Sequence, residues 1–237
     1  MNKNKILIVS NGKENILEFH KELISQFIKD KYFINIFNPS IDFNDLKLSF
    51  TDNEITKITI IQKVPKYTPK NIFLILYKLF IILKNNHYKY VISFMITSIL
   101  MSGFFSIIFK KTDFIGTIEG LGSLFEKDKN RRNSLIKDSF ISLIMNINLY
   151  GIKKLIFLNI DNQKFFNKNY SIVNKKKQLL LNYGNGIRIF KHKLRNYKKN
   201  KSIKFIMISR ILEEKGIVEF IKASKKISTK IKNVSFT

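Results

Sequence analysis

Blocks of apolar and polar positions alternate along the chain, and their spacing predicts strands and helices in turn. Residues 5–10 (KILIVS), apolar from 6 to 9, read as a parallel strand buried on both faces. Asn11 and Gly12 then turn the chain. Ile16, Leu17, Phe19, Leu23, Ile24, Phe27 and Ile28 recur at helical spacing and predict one helix over residues 14–30. Residues 32–37 read as a second strand, broken by Asn38 and Pro39, and residues 55–61 alternate as a third. Pro65 and Pro69 bracket a loop before a helix at 71–84. Further strands are predicted at 90–94, 112–117, 154–158 and 178–182. Between them fall a buried helix at 99–109, a helix at 134–149 closed by Gly151 as a carboxyl cap, and a short helix at 161–167. The pattern closes with a strand at 203–208, whose apolar part (205–208) reads as buried, a helix at 215–230 and a strand at 233–237.

Strands alternating with helices in this way predict an α/β fold, a Rossmann-like doubly wound parallel sheet. In such a sheet ligands sit beyond the carboxyl ends of the strands. The loops at 10–13, 94–98 and 117–123, Asn159, and the loop at 184–187 are expected on that one rim. Residues 188–201 are basic and polar without apolar period, so a linker at 191–202 divides a first domain, residues 1–190, from a second, residues 203–237.

The stretch 91–109 carries no charge and is long enough for a membrane-spanning helix. Ser93, Thr97, Ser98, Ser102, Gly103 and Ser106 interrupt it, and its division into a strand and a buried helix is the expected outcome. Residues 72–83 form an amphipathic pattern suited also to a membrane interface.

Composition adds a strong charge. Among 237 residues, 43 Lys and Arg against 17 Asp and Glu give a formal charge of +26. Such a surface attracts anionic lipid, nucleic acid or phosphorylated substrates, although Lys, Asn, Ile and Phe are also the residues an AT-rich gene favours. The chain has no cysteine, which removes disulfides and thiolate metal sites and fits a reducing compartment. The cationic runs at 175–177 and 191–201 belong to no nucleic-acid module, and no nucleic-acid partner is expected.

Arg210 and Lys215 are the sharpest candidate constellation. They follow an apolar strand and precede a helix, where a guanidinium and an ammonium would stabilise the charge growing on a diphosphate leaving group. Gly120 and Gly122 form a loop that lets backbone approach a ligand, and Gly184 and Gly186 form another. Glu119 is a conceivable base beside an acceptor hydroxyl, with a capping or surface role as the plainer reading. His20, His87 and His192 are far apart and show no metal spacing. His20 stands out because its helix should start at the rim, with packing on the helix face as its simpler role. No GxSxG elbow or complete P-loop is present, which leaves hydrolase and kinase readings without support.

Several segments resemble one family. KFIMISRILEEKGIVEFIKASKKI looks like the opening of the second domain of family 4 glycosyltransferases, usually a strand followed by GRLxxEKG and a helix. ILIVSN with FHKELI, then VISFMITSILMSG, TIEGLGSLF, LIFLNIDNQKFF and LLLNYGNGIRIF, resemble in order the amino-terminal domain of the subgroup that extends polyprenyl-diphosphate-linked glycans.

The resemblance implies a GT-B fold of two Rossmann-like domains, the first for the acceptor and the second for a nucleotide-sugar donor. It implies hexosyl transfer with retention in surface polysaccharide or glycan biosynthesis, with no metal or other cofactor. By the same resemblance Arg210 and Lys215 hold the donor diphosphate. Asn11, Gly12, Gly120, Gly122, Asn159, Gly184 and Gly186 line the acceptor and cleft loops. No residue is assigned a catalytic role. The implied location is cytoplasmic, peripheral at the inner face of the cytoplasmic membrane, with the anionic membrane surface as a partner.

The sequence departs from the family pattern at Ser209, where Gly is usual, and at His20, where Arg is common. It departs also at Ile96–Ser98, where a lysine–proline pair is expected, and at Glu119, where a small polar residue is usual. The donor-binding pair of glutamates has no counterpart, so residues 203–237 are expected to be the start of an incomplete donor domain with little activity alone. The alternative is a non-catalytic, membrane-associated acceptor-binding subunit completed by a separately encoded donor domain.

Overall fold

The computed structural model describes residues 4–61, 64–121, 134–170, 177–181, 184, 202–209, 211 and 213–237. The chain divides into two units, Met1–Arg188 and Ile189–Thr237. In the first, seven parallel strands form one sheet in the order β3-β2-β1-β4-β5-β6-β7. They are β1 (Lys5–Val9), β2 (Phe33–Phe37), β3 (Ile58–Ile60), β4 (Tyr90–Phe94), β5 (Asp113–Ile118), β6 (Lys154–Phe157) and β7 (Gln178–Leu180). The expected Rossmann-like parallel sheet is therefore present, with helices on both faces.

Alternation within the strands assigns the faces. Ile6 and Ile8 of β1 point into one core with Ile34 and Ile36 of β2, beneath α1 (Lys21–Lys29) and α2 (Phe43–Ser49). Leu7 and Val9 point into the other core with Val91 of β4. That second face is covered by α4 (Ile72–Asn85), α5 (Met95–Ser102), α6 (Phe105–Ile108), α7 (Ser134–Tyr150) and α8 (Ile160–Asn169). Burial on both faces is why β1 is apolar from Ile6 to Val9 and β4 is apolar but for Ser93. The uncharged stretch at 91–109 is accordingly shared by β4, α5 and α6. Among the described residues no helix is long and apolar enough to cross a membrane.

Four local differences from expectation appear. The single helix at 14–30 is a π-helical turn, Asn15–Phe19, followed by α1, with His20 between them at φ −119° and ψ 6°. The segment after Pro39 contains α2, opened by a reciprocal capping box. Asp45 N–H donates to Asp42 Oδ1 at 2.9 Å and Asp42 N–H donates to Asp45 Oδ2 at 3.0 Å. A further short helix, α3 (Asp52–Ile55), takes the start of the expected third strand, because Glu54 Oε2 accepts from Thr51 N–H at 2.9 Å and holds the turn. Gly151 does not adopt the left-handed φ of a carboxyl cap. A side chain there would meet Ser106, with its Cβ 2.9 Å from the Ser106 carbonyl carbon, so close packing is what requires glycine.

The capping box yields a stability prediction. Hydrogen bonding from the Asp42 backbone, aided by Lys13 at 3.1 Å, holds the Asp45 carboxyl below its ordinary value. A depressed carboxylate contributes stability that is present above its unfolded pKa, about 4, and is lost as pH falls through the folded value. Asp42→Ala is expected to cost about 1 kcal/mol at neutral pH. Urea denaturation should show the cost of Asp45→Asn shrinking as pH falls below about 4.

The second unit pairs β8 (Ile203–Phe205) in parallel with β9 (Val234–Phe236) and adds α9 (Ile217–Ser228). Phe205 stacks on Phe236 at 5.1 Å between ring centroids, and Phe220 meets Phe236 at 5.9 Å. The expected buried strand at 205–208 is not found. Strand β8 ends at Phe205, all three of its residues are exposed, and Ile208 is 86% exposed. Two strands and one helix leave parts of this sheet without cover.

Candidate functional site

Strand order reverses between β1 and β4, and an α/β sheet opens a crevice at such a reversal, beyond the carboxyl ends of its strands. Three loops meet there, after β1, β4 and β5. Asn38, following β2, fixes the first: its Nδ2 donates to Ser10 Oγ at 2.8 Å and to the Gly12 carbonyl at 2.9 Å. Gly12 has φ +83°, a conformation that favours glycine. Met95, directly after β4, sits at φ +71°, a strained setting for a side-chain-bearing residue of the kind that gathers at functional sites.

Within this crevice the fold assembles Asn15, His20 and Glu119. Glu119 follows β5, and its Oε1 lies 2.7 Å from His20 Nε2. Its Oε2 accepts from Asn15 Nδ2 at 3.2 Å. An ionised carboxylate only accepts, so His20 donates from Nε2. The imidazole stacks on Phe94, the last residue of β4, at 3.6 Å and 10° between planes. Asn15 is 6% and His20 3% exposed, while the Glu119 side chain keeps 16% of its surface. Glu119 is thus the member that faces outward, held at both oxygens by buried partners. Asn15 Oδ1 is buried without a protein partner, as are Thr97 Oγ1 and Ser98 Oγ in the first turn of α5. Such orphaned groups are uncommon in a native fold.

The π-helical turn makes this convergence possible. Five residues apart on an α-helix, Asn15 and His20 would point about 140° apart. A π turn bonds residue i to i+5 and brings them to one side.

The rim residues expected from sequence fall as follows. Asn11 and Gly12 form the loop after β1. Gly120 directly follows Glu119, but it has no left-handed φ and nothing within 4 Å of where its Cβ would be, so neither backbone strain nor crowding demands glycine there. Asn159, after β6, caps α8, its Oδ1 accepting from Asn162 N–H at 2.7 Å. Gly184, after β7, has φ +68°. Gly122, Gly186 and Arg210, and residues 191–201 of the expected linker, lie outside the described residues. Lys215 belongs to the second unit, exposed at the end of a 3-10 turn, Glu213–Lys215, just before α9. Glu119 is neither a cap nor a free surface carboxylate, and His20 is more than a packing residue. Asn15 was not singled out by the sequence; its signal is the i, i+5 spacing to His20 beside a strand end. Among the described residues no cluster of three or more His, Asp or Glu side chains could hold a metal ion.

No protein-family model and no curated protein sequence matches the chain. Solved structures do match. A glycosyltransferase from Rickettsia africae ESF-5 superposes with a TM-score of 0.63 at 15% identity, over 98% of this chain and 59% of that one. The chain shares the fold of this structure. Sucrose-phosphate synthase from Thermosynechococcus elongatus gives 0.58 at 12% identity, over 100% of this chain and 70% of that one. The glycotransferase of kitacinnamycin gives 0.55 at 10% identity, over 100% and 65%. The chain thus spans less than two thirds of the length of the first of these structures.

Proposed function

We propose that the chain is the acceptor-binding part of a glycosyltransferase that moves a hexose from a nucleotide sugar to a polyprenyl-diphosphate-linked glycan at a membrane surface. The observation that carries this reading is the Asn15–His20–Glu119 cluster at the β1/β4 reversal of a glycosyltransferase fold. A carboxylate fixed at both oxygens and open on one side is suited to accept a hydrogen bond from a sugar hydroxyl. The resemblance in sequence supports Arg210 and Lys215 as the donor-diphosphate pair and transfer with retention, without metal or cofactor. The open apolar surface of the second unit, at Ile203, Ile206 and Ile208, supports a donor half completed by further protein, in the same polypeptide or as a separate domain.

The fixed carboxylate favours a second reading of the stereochemistry. With Glu119 as general base, the acceptor oxygen attacks the anomeric carbon, its proton passes to Glu119, and the nucleoside diphosphate leaves with the bonding pair. That displacement inverts the anomeric centre. Incubation with a short-chain polyprenyl-diphosphate glycan and a panel of nucleotide sugars tests the proposal. The expected result is acceptor binding with little turnover by these 237 residues alone. Robust turnover by them would contradict the need for a larger donor half. Where product forms, its anomeric configuration by NMR separates retention from inversion.

A further inference from the structure

The outer surface of the α4–α7 layer is unusual for a soluble face. Helix α4 is apolar nearly all round, a pattern ordinarily reserved for a fully buried helix. Its inner side, Ile75, Leu79 and Leu83, is buried in the core. Its outer side is open: Phe73 is 83% and Tyr77 65% exposed. Phe80 ties α4 to α6 through Phe105 and Phe109, at 6.4 and 6.0 Å between ring centroids. Helix α6 is tied to α7 in turn, the backbone N–H of Phe104 donating to Asn148 Oδ1 at 2.9 Å. Phe104 and Ile108 at α6 and Leu143 and Ile147 on α7 are exposed as well. Exposed apolar side chains on three neighbouring helices mark an interaction surface.

Charge identifies what covers it. Between Glu54 and Asp113 the chain has nine lysines and no carboxylate. Lys70 and Lys84 border α4, and Lys110 and Lys111 follow α6, all exposed. A face that combines aromatic side chains with exposed lysines matches an anionic bilayer surface, where rings enter the interface and ammonium groups meet headgroups. At about 21 Å, α4 is too short to span the roughly 30 Å hydrocarbon core and would lie in its plane. A formal charge of +26 opposes pairing with a second copy.

We infer that the α4–α6 face docks the chain on anionic lipid. This rests on the membrane-held acceptor proposed above and adds which surface meets the membrane. The test is co-sedimentation of the full chain with vesicles of phosphatidylglycerol and phosphatidylcholine, against phosphatidylcholine alone. The variants are Phe73→Asp with Tyr77→Asp, and Leu48→Asp as a control, since Leu48 is exposed on α2 in the opposite layer. Aspartate at position 73 falls in the first turn of α4, where it suits the helix dipole and leaves folding intact. The wild type is expected to bind the anionic vesicles, the double variant to bind roughly tenfold or more weakly, and the control to match wild type. Equal binding by the double variant would overturn the assigned face while leaving a membrane-held acceptor standing. No binding by wild type would overturn both. A dimer in sedimentation velocity that the double variant dissolves would give the face to a second copy and overturn the inference.

Discussion

Glu119→Gln is expected to weaken binding of a short-chain polyprenyl-diphosphate-linked sugar by roughly 10- to 100-fold, the loss for a hydrogen bond to a charged group. The substitution keeps the shape of the side chain but removes the charge. One carboxamide oxygen can still accept from His20 Nε2, which leaves the new NH2 facing Asn15 Nδ2, donor against donor. A turn of the Asn15 amide relieves this, its Oδ1, without a protein partner beforehand, accepting from the new NH2, so the loss falls on the charge offered to the acceptor. Isothermal titration should show the loss as weaker affinity, with little change in melting temperature, because Glu119 lies at the mouth of the crevice. A purely structural role for Glu119 would reverse the two, lowering the melting temperature and sparing affinity.

Phe94→Ala should produce the largest loss of stability of any single site substitution considered for this crevice. Phe94 is fully buried at the end of β4, within the core beneath α1 and against the His20 ring. Truncating a buried phenylalanine costs about 3–5 kcal/mol through lost transfer energy and the cavity left behind. For a chain of this size that is a fall of roughly 6–20 °C in melting temperature. Acceptor binding should fall too, since His20 would lose the surface that fixes its plane and with it the hold on Glu119. Phe94→Leu restores most of the volume without the stacked ring. It should recover much of the stability and less of the affinity, a split that circular dichroism melts and titration calorimetry read separately.

The parts of the fold that were legible in the sequence are those where one physical demand dominates. Strands β1 and β4 are buried on both faces, so 6–9 is apolar without a break and 90–94 is apolar but for Ser93, and the division of 91–109 into strand and helix followed from its interrupting polar residues. Helix α2 was missed because its signal is a pair of acidic caps, Asp42 and Asp45, rather than an apolar period. The site was half legible. His20 and Glu119 each drew attention alone, but nothing in a 3.6-residue pattern joins Asn15 to His20, and only the π-helical turn does so. Gly120 attracted notice as a glycine, whereas the geometry gives the chemistry to the carboxylate before it. The expectation of burial at 205–208 treated an apolar run as sufficient. Burial also needs a partner surface, and within the second unit two strands and α9 do not supply one.

Photoaffinity labelling tests the central claim most directly. A polyprenyl-diphosphate-linked sugar carrying a diazirine on its terminal residue would be crosslinked to the full chain, and the labelled peptides mapped by mass spectrometry. An acceptor site at the β1/β4 reversal predicts labels within residues 10–20, 94–98 and 117–121, reduced by Glu119→Gln and competed by unlabelled acceptor. Labels confined to the amino ends of the strands, such as residues 85–89 or 109–112, would contradict it.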